Sequence, residues 1–184
     1  RHIQERDVHL LRGRARTKVN LEMAATSAMV KLAAKLAPDD ACFVPEKRRE
    51  LTTEGGLDVV SHKGKVKDAV ARLQDHGINV ALFIDPVKAQ IDCARAIGAH
   101  AIEIHTGTYC NASGARRDKE LRAINAAAKL AQSLGLEVHG GHGLNYTNVG
   151  PIAKIAEIVE LNIGHSIIAR ALFVGIEQAV REMK

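Results

Sequence analysis

The chain alternates short β-type runs with longer amphipathic runs, and this regular alternation limits its folds more than any other feature. The six strand candidates are rich in apolar residues and span residues 18–23, 41–44, 79–84, 101–105, 137–139 and 160–163. The helix candidates after them span residues 27–36, 64–76, 86–97, 115–134, 148–156 and 176–183. Strands that alternate with helices form a parallel sheet with right-handed crossovers. The sequence therefore predicts an α/β protein.

Six strand–helix units fit either an open doubly wound sheet or a barrel. The open sheet usually carries a Gly-rich phosphate loop after its first strand, whereas residues 22–25 read Glu-Met-Ala-Ala. A barrel needs eight strands and about 250 residues. The chain has 184 residues, starts without Met, and has a leading helix candidate at residues 7–11. We therefore predict a (β/α)8 TIM barrel whose first two strands are missing from this chain, with residues 1–184 forming one domain from strands three to eight.

Composition argues against several classes of partner. No apolar run approaches the roughly 20 residues that span a bilayer, so we expect no membrane association. Aromatic residues make up only 3% of the chain, which suits base stacking poorly. The net charge of +5 and the basic cluster at residues 12–18 leave nucleic-acid binding open. Because no recognised motif accompanies the charge, we favour a solvated surface or attraction of anionic small molecules such as sugar phosphates.

Three cysteines are present, Cys42, Cys93 and Cys110, and none belongs to a CxxC pair. Zinc-ribbon and disulfide-scaffold readings are therefore weak. We expect a reduced, cytoplasmic setting.

Titratable and polar residues follow nearly every predicted strand, where a parallel barrel builds its active site. They are Glu22, Asp85, Glu103, His105, His139, His142, Asn162 and His165. A solvated surface alone would not explain a carboxylate or imidazole at nearly every strand end. We therefore expect the active site along this edge.

Glu103 is the sharpest candidate among them. Strand alternation places Ala101, Glu103 and His105 on one face and two isoleucines on the other. If the isoleucines pack under the helices, the carboxylate points into the barrel, where burial shifts its pKa as acid–base catalysis requires. The alternative is a structural Glu–His or Glu–Arg pair in the core. The same reasoning applies to Glu22, which shares a face with Asn20.

Two Gly-containing turns predict phosphate sites. Residues 139–143 read His-Gly-Gly-His-Gly, and glycine lets the backbone approach a ligand closely. Residues 162–168 run from a strand end into a short helix candidate, whose first N–H groups would face an anion. Barrels often bind phosphate after strands seven and eight. The alternative is that these glycines serve only tight turns.

Other chemistries remain open from the residues alone. His105, His139 and His142, together with Glu22 or Glu103, could form a metal site, although a Gly-rich turn is a poor frame for metal ligands. A Schiff-base mechanism would need a lysine at a strand end, and none is found there. Another phosphate-binding barrel, an isomerase or a metal-assisted lyase, is the alternative enzyme.

Six segments together carry a resemblance to a known family. They are NLEMAAT (20–26), VPEKRRELTTEGGLDV (44–59), LFID (82–85), IEIHTGTY (102–109), GHGLNYTNV (141–149) and ELNIGHSII (160–168). In this order they resemble the pyridoxine 5′-phosphate synthase family. Family members condense 1-deoxy-D-xylulose 5-phosphate with 3-amino-2-oxopropyl phosphate, without a metal or organic cofactor, and they form homo-oligomers.

The resemblance implies three catalytic residues: Glu22 as proton acceptor, His142 as proton donor, and Glu103 stabilising charge in the transition state. It implies that His2 and Thr52 contact the deoxyxylulose phosphate and that Gly143, Gly164 and His165 hold the aminoketone phosphate. Residues 45–56 would form a closing lid. The family's Asn-x-Asp-His motif and further ligands in its first two strands are absent from these 184 residues, so we expect the chain alone to be inactive and poorly folded.

Overall fold

The computed structural model describes residues 3–45 and 55–184. Within these ranges the strands are β1 (Asn20–Met23), β2 (Asp40–Phe43), β3 (Asn79–Ile84), β4 (Ala101–His105), β5 (Glu137–Gly141) and β6 (Ile158–Asn162). The helices are α1 (Glu5–Arg14), α2 (Ser27–Leu36), α3 (Lys63–Gln74), α4 (Lys88–Ala96), α5 (Gly107–Asn111), α6 (Gly114–Ser133), α7 (Val149–Ala153), α8 (His165–Val174) and α9 (Ile176–Met183).

The strands form one parallel sheet in the order β1-β2-β3-β4-β5-β6. Each strand thus pairs with the next strand in the chain. A doubly wound sheet reverses its order at a switch point, and this sheet has no reversal among its six described strands. The architecture is that of a parallel half-barrel, which confirms the predicted α/β class.

Strand alternation separates two apolar clusters. On the outer face, Ile102 and Ile104 are buried in the large core beneath the helices. On the inner face, Cys42, Ala81, Phe83 and Ala101 form a smaller cluster. Because β4 alternates between these clusters, Glu103 is buried on the inner side. The predicted orientation of this strand is therefore confirmed.

Most element boundaries follow local sequence signals. The Oγ1 of Thr26 accepts a hydrogen bond from Met29 N–H at 3.3 Å and caps α2, and α2 and α9 have the predicted bounds. Gly77, Gly98 and Gly135 adopt left-handed φ angles of 73°, 84° and 79° after α3, α4 and α6, where glycine avoids a Cβ clash.

Several predicted element ends differ from the observed ones by one to three residues. Helix α5 was not predicted, because its five residues are too few for a periodic pattern. Helix α8, predicted as a short helix, has ten residues. Pro86 precedes the N-cap of α4, Val87, instead of lying in the first turn. Strand β5 continues to Gly141, two residues beyond its predicted end.

No helix among the described residues is both long and apolar enough to cross a bilayer.

We predict that Gly77→Ala lowers the free energy of unfolding by about 1 kcal/mol, because an alanine is strained at positive φ. Nothing lies within 4 Å of the added Cβ, so the loss reports backbone strain alone. The matched control is Gly64→Ala inside α3, which also meets nothing within 4 Å and should raise stability by about 0.5 kcal/mol. Urea unfolding of the gene product that contains this chain measures the stability of both variants. Equal free energies of unfolding would show that position 77 carries no backbone strain.

Candidate active site

A cleft of about 1190 Å³ lies at the carboxyl ends of the strands. Its walls come from β1, β4 and β6 and from the turns after β5 and β6. Glu22, Glu103, His142, Gly143, Gly164 and His165 all line it. The structure therefore brings together six of the eight residues that the family resemblance assigns to the site. The other two, His2 and Thr52, lie outside the described residues, as does most of the predicted lid.

Glu103 forms the floor of the cleft and is only 4% exposed. Its Oε2 accepts a hydrogen bond from Asn162 Nδ2 at 2.9 Å and one from Cys42 Sγ at 3.6 Å. These partners are an amide and a thiol, not the imidazole or guanidinium of a structural ion pair. Burial, reinforced by the charge of Glu22, raises the pKa of Glu103 to about 7. The carboxyl group can therefore donate or accept a proton near neutral pH.

Gly141 leaves the space that the Glu103 carboxyl occupies. A Cβ at this position would overlap Glu103 Oε1 and lie 3.0 Å from its Cδ and 3.2 Å from Asn162 Cβ. Residue 141 must therefore be glycine for Glu103 to keep this rotamer. The φ angle of Gly141 is not positive. Glycine is therefore required here for space and not for its backbone conformation.

His142 stands at the turn after β5 with a left-handed φ of 77°, which is uncommon for a residue with a side chain. Thr106 Oγ1 lies 2.7 Å from the carbonyl oxygens of both Gly141 and His142, so its single O–H is shared between them. The imidazole ring lies 5.1 Å from that of His105 and 6.2 Å from Phe83. Burial and the charge of His105 lower the pKa of His142, so its ring is mainly neutral at pH 7.

Sequence reasoning noted Asp85 and His105 but did not pair them. In the structure His105 Nδ1 lies 3.0 Å from Asp85 Oδ1, and both side chains are buried. The carboxylate also accepts the N–H of Gly56 at 3.2 Å. It holds His105 with Nδ1–H toward Asp85. Residues 85 and 105 lie at the ends of the neighbouring strands β3 and β4. The pairing of these strands is therefore the signal from which the Asp85–His105 contact could have been predicted.

His139 is not at the cleft, contrary to the reading of residues 139–143 as a turn. It lies in the middle of β5, where Nε2 is 2.9 Å from Glu137 Oε1 and Nδ1 is 3.7 Å from Glu160 Oε1. The reason is that β5 continues through both glycines before the chain turns at His142. His139 therefore belongs to the opposite, amino-terminal end of the barrel interior.

The two phosphate-site candidates lie side by side. Gly143 has a φ of 81°, and a Cβ there would lie 2.9 Å from Cys110 Cβ, so its turn requires glycine. Gly164 is the N-cap of α8 and His165 is its first residue. Ser166 Oγ donates to the Leu144 carbonyl at 2.9 Å and ties the two turns together.

A protein metal site needs several ligand side chains that converge on one point. In the ranges 3–45 and 55–184, no three His, Cys, Asp or Glu side chains converge in this way. Two of the histidines suggested as metal ligands pair with different carboxylates, His139 with Glu137 and His105 with Asp85.

Comparison with known proteins identifies the family. The profile described as "Pyridoxal phosphate biosynthesis protein PdxJ" matches residues 1–184. The chain belongs to this PdxJ family. Similar proteins named pyridoxine 5′-phosphate synthase include that of Magnetococcus marinus, 58% identical over 100% of this chain and 76% of that protein. The proteins of Legionella pneumophila strain Corby and Prochlorococcus marinus strain MIT 9211 are 55% and 52% identical, and the chain covers 75% and 76% of them.

Solved structures share the fold of this PdxJ-family chain at low sequence identity. The Amycolatopsis orientalis BexX/CysO complex matches with a TM-score of 0.53 and 14% identity, over 85% of this chain and 59% of that one. A xylose isomerase domain protein from Planctomyces limnophilus matches with a TM-score of 0.53 and 14% identity, over 91% and 71%. These similarities concern the fold alone.

Adjacent glycines of β5 offer a matched test of the site. We predict that Gly141→Ala lowers the free energy of unfolding by about 2 kcal/mol, because its Cβ displaces the Glu103 carboxyl. A Cβ on Gly140 meets only Leu161 Cδ2 at 3.5 Å and other side-chain methyls farther away. Gly140→Ala should therefore change stability by less than about 0.5 kcal/mol. Denaturant unfolding measures both variants. Equal losses of unfolding free energy would show that the space at position 141 is not needed by the Glu103 carboxyl group.

Proposed function

We propose that the chain belongs to a pyridoxine 5′-phosphate synthase. The enzyme would condense 1-deoxy-D-xylulose 5-phosphate with 3-amino-2-oxopropyl phosphate and release pyridoxine 5′-phosphate, inorganic phosphate and water. Family membership and relatives of more than 50% identity over the whole chain support this proposal. The observation that carries it is a buried carboxyl group with a pKa of about 7 at the floor of a cleft that also contains His142 and Glu22.

Ring closure between an amine and two carbonyl groups needs repeated proton transfers, and the site offers groups for both directions. Glu103 titrates near neutrality, so it can give a proton to a developing alkoxide or amine and recover it later. His142 is mainly neutral when free, so it would first accept a proton and then act as the proposed donor. Glu22 is exposed in the cleft and would be the proton acceptor.

Two phosphate groups must be accommodated, and the cleft suits them. The turns after β5 and β6 both line it, on the same side as Glu103. Gly143 and the start of α8 at Gly164 and His165 supply backbone N–H groups on one side, where a helix N-terminus favours anions. We propose that they hold the phosphate of 3-amino-2-oxopropyl phosphate, while His2 and Thr52 contact the other substrate.

We propose that the six strands are strands three to eight of a (β/α)8 TIM barrel. The consecutive strand order supports this, as does the coverage of 75–76% of the relatives. Leu172 and Phe173 of α8 are 82% and 85% exposed, as expected where further barrel elements would pack. The remaining units would supply more substrate ligands, so the isolated chain should lack activity.

Further expectations rest on the family resemblance. We propose a cytoplasmic homo-oligomer that acts on small phosphorylated substrates without a metal or organic cofactor and without a nucleic-acid partner. Exposed apolar residues on α9, Ile176 and Val180, are available for contacts between subunits.

We predict that Glu103→Gln and His142→Asn each lower kcat by about 10²-fold or more, because each removes a proton-transfer group. The assay incubates the gene product that contains this chain with both substrates and measures phosphate and pyridoxine 5′-phosphate. His100→Asn is the matched control, since His100 lies beyond the amino-terminal end of β4, away from the cleft. Wild-type rates in both site variants would contradict the assignment. Substrate turnover without pyridoxine 5′-phosphate would indicate the alternative isomerase or lyase.

A further inference from the structure

We propose that Cys42 and Asn162 are positioning residues that orient the Glu103 carboxyl group so that its acidic proton resides on Oε1. The inference deepens the proposed function, since it rests on Glu103 taking part in the reaction. The sequence placed Asn162 among the polar residues at strand ends without pairing it with Glu103, and it gave Cys42 no role in the site. Both reach Glu103 from other strands, Cys42 from β2 and Asn162 from β6.

The two donors converge on one oxygen. Asn162 Nδ2 lies 2.9 Å and Cys42 Sγ 3.6 Å from Oε2 of Glu103. The other oxygen, Oε1, is the atom nearest to the space above Gly141. The carboxyl group is therefore held asymmetrically, with donors on one oxygen and an open glycine backbone beside the other.

This asymmetry determines where the proton resides when Glu103 is neutral. A carboxyl oxygen that already accepts two hydrogen bonds has its acceptor sites filled and behaves as the carbonyl oxygen. The proton then resides on Oε1. Glu103 lines the cleft, and on this proposal Oε1 is the oxygen from which a neutral Glu103 donates to a substrate.

Cys42 can act only as a donor here. Its side chain is fully buried, and desolvation, followed by the charges of Glu103 and Glu22, raises its pKa well above its ordinary value. The group is therefore a thiol, and its S–H points at an acceptor in the barrel interior. Because Cys42 has no exposed surface, it cannot contact a substrate, and its effect on turnover is indirect.

Other strands also influence the carboxyl group. Glu22 on β1 raises the pKa of Glu103 and His139 on β5 lowers it. Phe83 of β3, the register partner of Glu103, is uncharged. Against this background, donors to Oε2 stabilise the ionised form more than the neutral form. Removal of one donor should therefore raise the titration midpoint of Glu103.

The test compares Cys42→Ala, which removes the donor, with Cys42→Ser, which keeps a donor in nearly the same volume. We expect ¹³C NMR of the glutamate side chains, with Glu103→Gln assigning the signal, to show a midpoint raised by about half a pH unit in Cys42→Ala. In Cys42→Ser the midpoint should not rise. Asn162→Ala should raise it by about one unit, because an amide is the stronger donor.

The alkaline limb of the kcat–pH profile should move upward in Cys42→Ala by the same amount as the NMR midpoint. Identical NMR midpoints in wild type, Cys42→Ala and Asn162→Ala would overturn the inference, since the contacts would then be packing alone. A midpoint that moves while the kcat profile stays fixed supports the positioning of Glu103 and overturns its proposed part in the reaction.

Discussion

The burial of one carboxyl group inside a parallel sheet is the constraint on which the rest of the site depends. Glu103 is removed from water on the inner face of β4, and a buried carboxyl group without partners would be strongly destabilising. Residues on three other strands of the sheet, β2, β5 and β6, accommodate the buried carboxyl group. Asn162 and Cys42 donate to one oxygen, and Gly141 yields the space for the other. The elevated pKa is the residual cost of burial and also the property that makes the group useful near neutral pH.

The architecture places this group beside the two turns that we propose to bind phosphate. In a parallel barrel all strands end on the same side, so the residues that follow β5 and β6 meet above the floor. Thr106 fixes the turn at His142, and Ser166 joins the turn after β5 to the start of α8. The cleft thus combines a titrating floor with backbone N–H groups at its wall.

Sequence periodicity predicted the parallel α/β class, all six strands, and the inward orientation of Glu103, because side chains alternate strictly along a strand. It failed at Gly140 and Gly141, which were read as a turn. These residues continue β5, and Gly141 is small because Glu103 occupies its side-chain space. The error placed His139 at the cleft. The Asp85–His105 pair could not be predicted from local pattern, since strand pairing brings together residues 20 apart. The family resemblance contributed the roles of His2 and Thr52, which stay predictions.

The central claim is that burial favours the neutral form of Glu103, so that ionising this group as the pH rises destabilises the fold. Comparing the unfolding of wild type and Glu103→Gln tests this claim most directly. The pKa of Glu103 rises from the ordinary 4.5 to about 7 in the folded protein. The stability that neutral Glu103 contributes is therefore complete below pH 4.5 and is lost as the pH rises through about 7. The amide that replaces the carboxyl group in the variant stays neutral throughout. We expect the variant to gain about 2 kcal/mol of unfolding free energy relative to wild type between pH 5 and pH 8. A difference that does not change with pH would contradict the account.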